Sequence, residues 1–183
     1  MKDKILSPLS MFVAGLLLGV VSRLLDIYTQ SLGDMFSQLS VWILIGTVIS
    51  IYSKTEKKAM VNVFLLSIGM LITYYTVVYL THGWYDRWGI IGWTVFACLT
   101  PFMAFFAWMA KEEGIFPKII SIGIVICSVL SSILLFDGPR LYDFVINALL
   151  VYFLFSARLT ADFVLAGEFF RVELKTTKWR CTD

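Results

Sequence analysis

Six long apolar stretches, separated by short breaks that carry charges or turn residues, limit more than anything else what this chain can become. They cover about residues 8–28, 35–53, 58–80, 88–110, 116–136 and 139–157, each 19 to 23 residues long. A run of about 20 apolar residues matches the hydrocarbon thickness of a bilayer. Inside lipid an isolated strand leaves its backbone groups unpaired, so each run must be helical. The predicted fold class is therefore all-α: a polytopic membrane protein built as a bundle of six transmembrane helices. Composition agrees, because 59% of the 183 residues are hydrophobic and only 15% charged. With mean hydropathy at +0.83, there are too few polar residues to cover a water-soluble domain.

The basic residues set the direction of the spans. With the N-terminus inside, the inner segments hold Lys2, Lys4, Lys54, Lys57, Lys58, Lys111, Lys118, Arg158, Arg171, Lys175, Lys178 and Arg180, leaving Arg23, Arg87 and Arg140 outside. Positive loops stay in the cytoplasm, so both termini are predicted to be cytoplasmic in a multi-pass protein of the cell membrane. Trp84 and Trp88 at the outer edge and Trp108 at the inner edge fit an aromatic belt. Ser7 is expected to cap the first helix with Pro8 at its first position, and Asp34 to cap the second.

Two segments admit two readings. Lys2 and Lys4 before an apolar run ending near Ser22 fit a signal peptide. The apolar character resumes through Leu24, Leu25, Ile27 and Tyr28, however, and no A-x-A site occurs, which favours an uncleaved helix. Residues 158–183 form a basic cytoplasmic tail, separate from the 1–157 transmembrane domain. They read as an amphipathic helix on the inner membrane face, or, through Phe170, Val172 and Leu174, as a short strand. Such a tail serves as a topology anchor or as a contact for a partner.

Few catalytic constellations are available. The net charge of +2 is too weak for a nucleic-acid footprint. Cys98, Cys127 and Cys181 have no metal-ligand spacing. With His82 the single histidine, no metal site and no cofactor are expected. Glu112 and Glu113 read as a solvated helix end. No P-loop, GxSxG or GxGxxG occurs, so no ATPase is expected in the chain itself, and an enzyme is not the favoured reading. Pro101 interrupts the fourth span, frees the carbonyl of Ala97 and is expected to kink that helix.

The outer face is richer. Its charged residues are Arg23, Asp26, Asp34, Asp86, Arg87, Asp137, Arg140 and Asp143, and each arginine has an aspartate within three residues. Arg23 lies about 7.5 Å inside the outer end of its helix, where an arginine must face protein, water or a carboxylate. It shares a helical side with Gly15, Gly19, Ser22 and Asp26. Tyr75, Tyr79 and His82 follow one another in the third span, and Arg140, Asp143 and Asn147 in the sixth. Converging outer ends would line a cup with Arg23, Asp26, Tyr79, His82, Asp86, Arg140, Asp143 and Asn147. Such a cup suits a small polar or zwitterionic solute, with arginine on a carboxylate, aspartate on an amine and aromatic walls around a ring. The same residues also fit ion pairs that only pin neighbouring helices.

Six short spans, both ends inside, no ATPase and an outward polar cup resemble the substrate-binding S components of energy-coupling factor transporters. The resemblance covers the whole chain in size and topology. It implies a vitamin-type or micronutrient ligand, a membrane coupling subunit and cytosolic ATPases as partners, with Gly15 and Gly19 docking the coupling subunit. A second small-x-x-x-small pattern, which that family carries in its third helix, is not evident between 58 and 80. The run around VNVFLLSIGMLITYY also looks like small uncharacterised bacterial membrane proteins. Besides a solute-binding transport subunit, two other functions fit the sequence: an accessory or regulatory membrane protein acting through helix packing and its tail, and, third, a membrane-embedded enzyme.

Overall fold

The computed structural model describes residues 6–36, 38–83, 87–135 and 140–157. Expectations resting on Lys2, Lys4, Trp84, Asp86, Asp137, Cys181 and the 158–183 tail lie outside the described residues. Those residues form seven helices and no strand: α1 Pro8–Tyr28, α2 Gln30–Phe36, α3 Leu39–Tyr52, α4 Glu56–Leu80, α5 Arg87–Met109, α6 Ile115–Leu135 and α7 Leu141–Ala157. Four of the helices, α1, α4, α5 and α6, are long and apolar enough to cross a membrane, and α3 and α7 are apolar but shorter.

Local chemistry sets most of the helix ends. Ser7 Oγ accepts from Ser10 N at 3.2 Å and Ser10 Oγ accepts from Ser7 N at 3.1 Å, closing a reciprocal capping box in front of Pro8. Thr55 caps α4 through Lys58 N. The other end of α4 closes with paired bonds, Gly83 N to Val78 O at 3.0 Å and His82 N to Tyr79 O at 3.2 Å. This Schellman geometry needs a left-handed residue, and His82 supplies it at φ 49°.

The second apolar stretch differs from its expected form. Asp34 does not cap a helix from 35 to 53; it lies inside α2, and α3 opens after Gln38, whose side chain makes no capping bond. Side chains hold the break. Trp42 Nε1 donates to the Phe36 carbonyl at the end of α2, 2.8 Å away, taking up an acceptor that the short helix leaves unpaired. The 14 residues of α3 span only about 21 Å. Its far end is closed by α5 and the turn after it, where Lys111 Nζ donates to the carbonyls of Ile51 and Ser53, and Trp108 Nε1 also donates to Ser53. The Lys111 ammonium lies 4.5 Å from the centre of the Trp108 ring.

Packing divides into two cores that share α3. Met11, Trp42, Leu66 and Met70 join α1, α3 and α4, with Trp93 and Phe96 of α5 against them. Ile43, Ile51, Ala110, Leu150 and Leu154 join α3 to α7, with Ile120 and Ile124 of α6 alongside. The closest approach is between α1 and α4. A Cβ on Gly15 would meet the Leu66 carbonyl oxygen, and one on Gly69 would lie 2.7 Å from the Phe12 carbonyl oxygen. Only hydrogen at these positions lets the two backbones meet. Leu9, Val13, Leu17, Val21 and Leu24 point away from this contact and are exposed, the face α1 would turn to lipid. At Pro101 the freed Ala97 carbonyl accepts from Thr100 Oγ1 at 2.7 Å, so the missing backbone bond is replaced locally.

Candidate functional site

The helix ends that carry α1 Tyr28, α4 Leu80 and the starts of α3 and α7 lie together at one end of the bundle. The polar residues there form two separate clusters rather than one cup. The first sits between the last turns of α1 and the second half of α4. Asp26 Oδ2 accepts from Tyr74 Oη at 2.6 Å and faces Arg23 Nη1 at 3.8 Å. Both ionic side chains are mostly buried, at 16% and 17% exposure. Gly33 of α2 packs against Asp26, where a Cβ would lie 2.7 Å from its Cα and from Oδ1. The Arg23 guanidinium is turned toward Gly83 in the turn that ends α4.

Beside Asp26 is a cavity of about 30 Å³ lined by Ser22, Asp26, Phe36, Tyr74, Tyr75 and Trp93, with Met70 and Leu71 behind them. One water occupies roughly 10–15 Å³ of such a space, so the cavity has room for a small head group and not for a ring system. Ser22 is 3% exposed, and its Oγ has no hydrogen-bond partner. Arg23 Nε is also buried without an acceptor.

The second cluster joins α2, α3, α6 and α7. Asp143, 1% exposed, accepts from Ser40 Oγ and Ser132 Oγ, each at 3.0 Å, and from the Arg140 backbone N at 2.9 Å. With its amide turned to satisfy both neighbours, Gln38 donates from Nε2 to both Asp143 oxygens and accepts from Tyr142 Oη at 3.0 Å. The expected pairing of the Arg140 and Asp143 side chains is not made. The Arg140 guanidinium reaches Asp34 Oδ2 at 3.2 Å and Tyr142 Oη at 3.0 Å, because the third residue of α7 turns its carboxylate back onto the N-terminal backbone. The Tyr142 and Asp34 contacts favour the charged guanidinium of Arg140.

The expected cup residues are thus distributed unevenly. Arg23 and Asp26 belong to the first cluster, and Arg140 and Asp143 to the second. Asn147 donates from Nδ2 to the Asp143 carbonyl one turn back, 2.8 Å away, with its Oδ1 buried and unpartnered. Tyr79 is 74% exposed and His82 terminates α4, so neither converges on the others. Asp86 lies outside the described residues. Gly15 and Gly19 are buried against α4 of this same chain, which leaves that stripe no free face for docking a coupling subunit. Gly69 and Thr73 provide the small-residue pattern on the α4 side that was not evident in the sequence; Thr73 Oγ1 donates to Leu16 O at 2.8 Å.

Tyr74, Trp93, Phe36, Gln38 and Ser40 were not singled out from the sequence. Tyr74 continues the Leu66 and Met70 face at steps of four, a signal readable only once that face is known to meet α1. An apolar cavity of about 290 Å³ among α3, α4, α5 and α6 carries no charged side chain. Comparison of the chain with protein-family models, curated proteins and solved structures finds no match.

Proposed function

We propose that this chain is a multi-pass membrane protein that binds a small solute at the Ser22, Asp26 and Tyr74 cavity, as the binding subunit of a transporter energised by separate proteins. The observation that carries the reading is the cavity itself, where a carboxylate, an unpartnered buried hydroxyl and aromatic walls converge at one end of the bundle. Pockets with a few convergent polar groups among apolar walls are where small ligands bind. Lys54, Lys57, Lys58, Lys111 and Lys118 lie toward the opposite end, in the segments around the α3–α4 and α5–α6 connections. By the positive-inside rule that end faces the cytoplasm and the cavity opens outside. Six spans, cytoplasmic termini and a partnership of the kind found in energy-coupling factor transporters belong to this proposal.

The test is a thermal-shift screen of the purified protein in nanodiscs against polar, zwitterionic and cationic solutes, with Asp26→Ala as the paired variant. A solute that raises the wild-type melting temperature and leaves the variant unmoved is the expected result. If every active solute shifts both proteins equally, the cavity is not a binding site.

A further inference from the structure

Resting on that reading, we infer that the group entering the cavity is an organic ammonium, held by the Asp26 carboxylate and Ser22 hydroxyl and enclosed by the rings of Phe36, Tyr74, Tyr75 and Trp93. The conduct of Ser22 is the first ground. Many hydroxyls elsewhere in these helices donate to a carbonyl one turn back: Ser50 to Gly46, Ser53 to Ile49, Ser67 to Val63, Thr94 to Ile90. This is the default for serine and threonine inside a helix. Ser22 Oγ makes no such bond, although it is 3% exposed and lines the cavity. Ser128 Oγ is also buried without a partner, but it does not line the cavity. A buried hydroxyl without a partner is costly, and a donor in the cavity relieves that cost.

The wall chemistry is the second ground. It presents one carboxylate, the buried unpartnered hydroxyl of Ser22 and four aromatic rings, two of them phenols, and no cationic side chain. Arg23 touches Asp26 from the side, with its guanidinium toward Gly83, and does not line the space. An anion would therefore face a carboxylate with no positive wall opposite. A calcium ion takes six to eight oxygen ligands, roughly, and this wall offers about half of them. An ammonium group meets each element: its N–H bonds go to Asp26 and Ser22, and its charge lies against ring faces that attract cations. Tyr74 already donates to Oδ2, so it holds the carboxylate in place for the incoming cation. The structure thus narrows the expected polar or zwitterionic solute to one that enters by its positive end.

The experiment titrates methylammonium and tetramethylammonium chloride into the nanodisc protein, reading the melting temperature and tryptophan fluorescence. Sodium chloride at matched ionic strength and tert-butanol, a compact uncharged alcohol, are the controls. Saturable shifts with methylammonium are expected, weakened about tenfold or more in Asp26→Asn and also reduced in Trp93→Leu, with neither variant losing its helical circular dichroism. Tetramethylammonium, which has no N–H to donate and exceeds a cavity of about 30 Å³, should act as sodium does, and an equal shift with it would overturn the hydrogen-bonded ammonium assignment. Equal shifts with tert-butanol would overturn the ammonium assignment while leaving a solute pocket in place. So would binding only of anionic or neutral solutes from the wider screen that Asp26→Ala abolishes. If no solute of any charge binds and methylammonium acts as sodium does, the cavity holds water only, and the ammonium assignment and the solute-binding reading fall together.

Discussion

Tyr74 Oη and Asp26 Oδ2 stand 2.6 Å apart, a hydrogen bond from the second half of α4 to the last turns of α1. Its acceptor also faces Arg23 and is only 17% exposed. A hydrogen bond to a charged group contributes about 1.5–3 kcal/mol, and Tyr74→Phe should lower stability by roughly that amount. Asp26→Asn should cost a similar amount, and the double variant clearly less than the sum, because the two side chains act on one bond. A double-mutant cycle from denaturation in mixed micelles checks this. Additive losses would mean the pair is not coupled.

The contact between α1 and α4 rests on hydrogen where other residues carry a methyl group. Gly15→Ala and Gly69→Ala each drive a Cβ into the facing helix backbone, and forced overpacking of this kind costs about 1–3 kcal/mol. Gly123 is the internal control, since a Cβ there meets nothing within 4 Å. Gly123→Ala should be neutral or stabilising by up to about 1 kcal/mol, from helix propensity alone. Melting temperatures of the three variants, measured in one detergent, test the contrast; similar losses at all three positions would contradict it.

What could be read from sequence, and what could not, divides by the range of the interaction. Five of the six apolar runs mark α1, α4, α5, α6 and α7 almost to their ends, because apolar length and the Ser7–Pro8 cap are local properties. The failure at α2 and α3 is non-local: Trp42 bonds back to Phe36, and Gln38 is drawn to Tyr142 and Asp143 across more than a hundred residues. The candidate site divides in the same way. Arg23 with Asp26 is a spacing of three on one helix and was legible. Tyr74 and Trp93 reach the cavity only through the packing of α4 on α1 and of α5 on α4. Arg140 and Asp143 were also paired by spacing, yet the backbone of α7 claims the aspartate and Asp34 takes the arginine.

At the other end, the cap on α3 predicts a dependence on pH. Burial pushes the Lys111 ammonium below its ordinary value of 10.5, partly opposed by neighbouring Glu112. Between the lowered value and 10.5 the folded protein binds fewer protons at this site than the unfolded one. Stability from this group therefore rises with pH through that window and is lower beneath it. Lys111→Met removes both the titration and the bonds to Ile51 and Ser53. Its melting temperature should lie below that of the wild type, and the gap should widen as pH rises toward 10.5. A gap that narrows over that range would contradict the assignment.

Asp143 and Arg140 sit three residues apart and should respond very unequally to substitution. Asp143 is buried among donors only: two serine hydroxyls, one backbone N–H and the Gln38 amide. Asp143→Asn turns an amide N–H₂ toward groups that can only donate or must reorient, and removes the charge that makes each bond strong. Leaving buried donors unsatisfied costs about 1–3 kcal/mol for each group, so this variant should lose several kcal/mol or fail to assemble α7 against α3 and α6. Arg140 pairs with Asp34 where both side chains are about half exposed, 49% and 55%. Ion pairs in such positions are screened and contribute little. Arg140→Ala should therefore leave the melting temperature nearly unchanged, because its backbone N–H still reaches Asp143. The pair of melts decides which interaction holds this end of α7: a large loss from Arg140→Ala with a small one from Asp143→Asn would place the anchor in the exposed ion pair instead of the buried carboxylate.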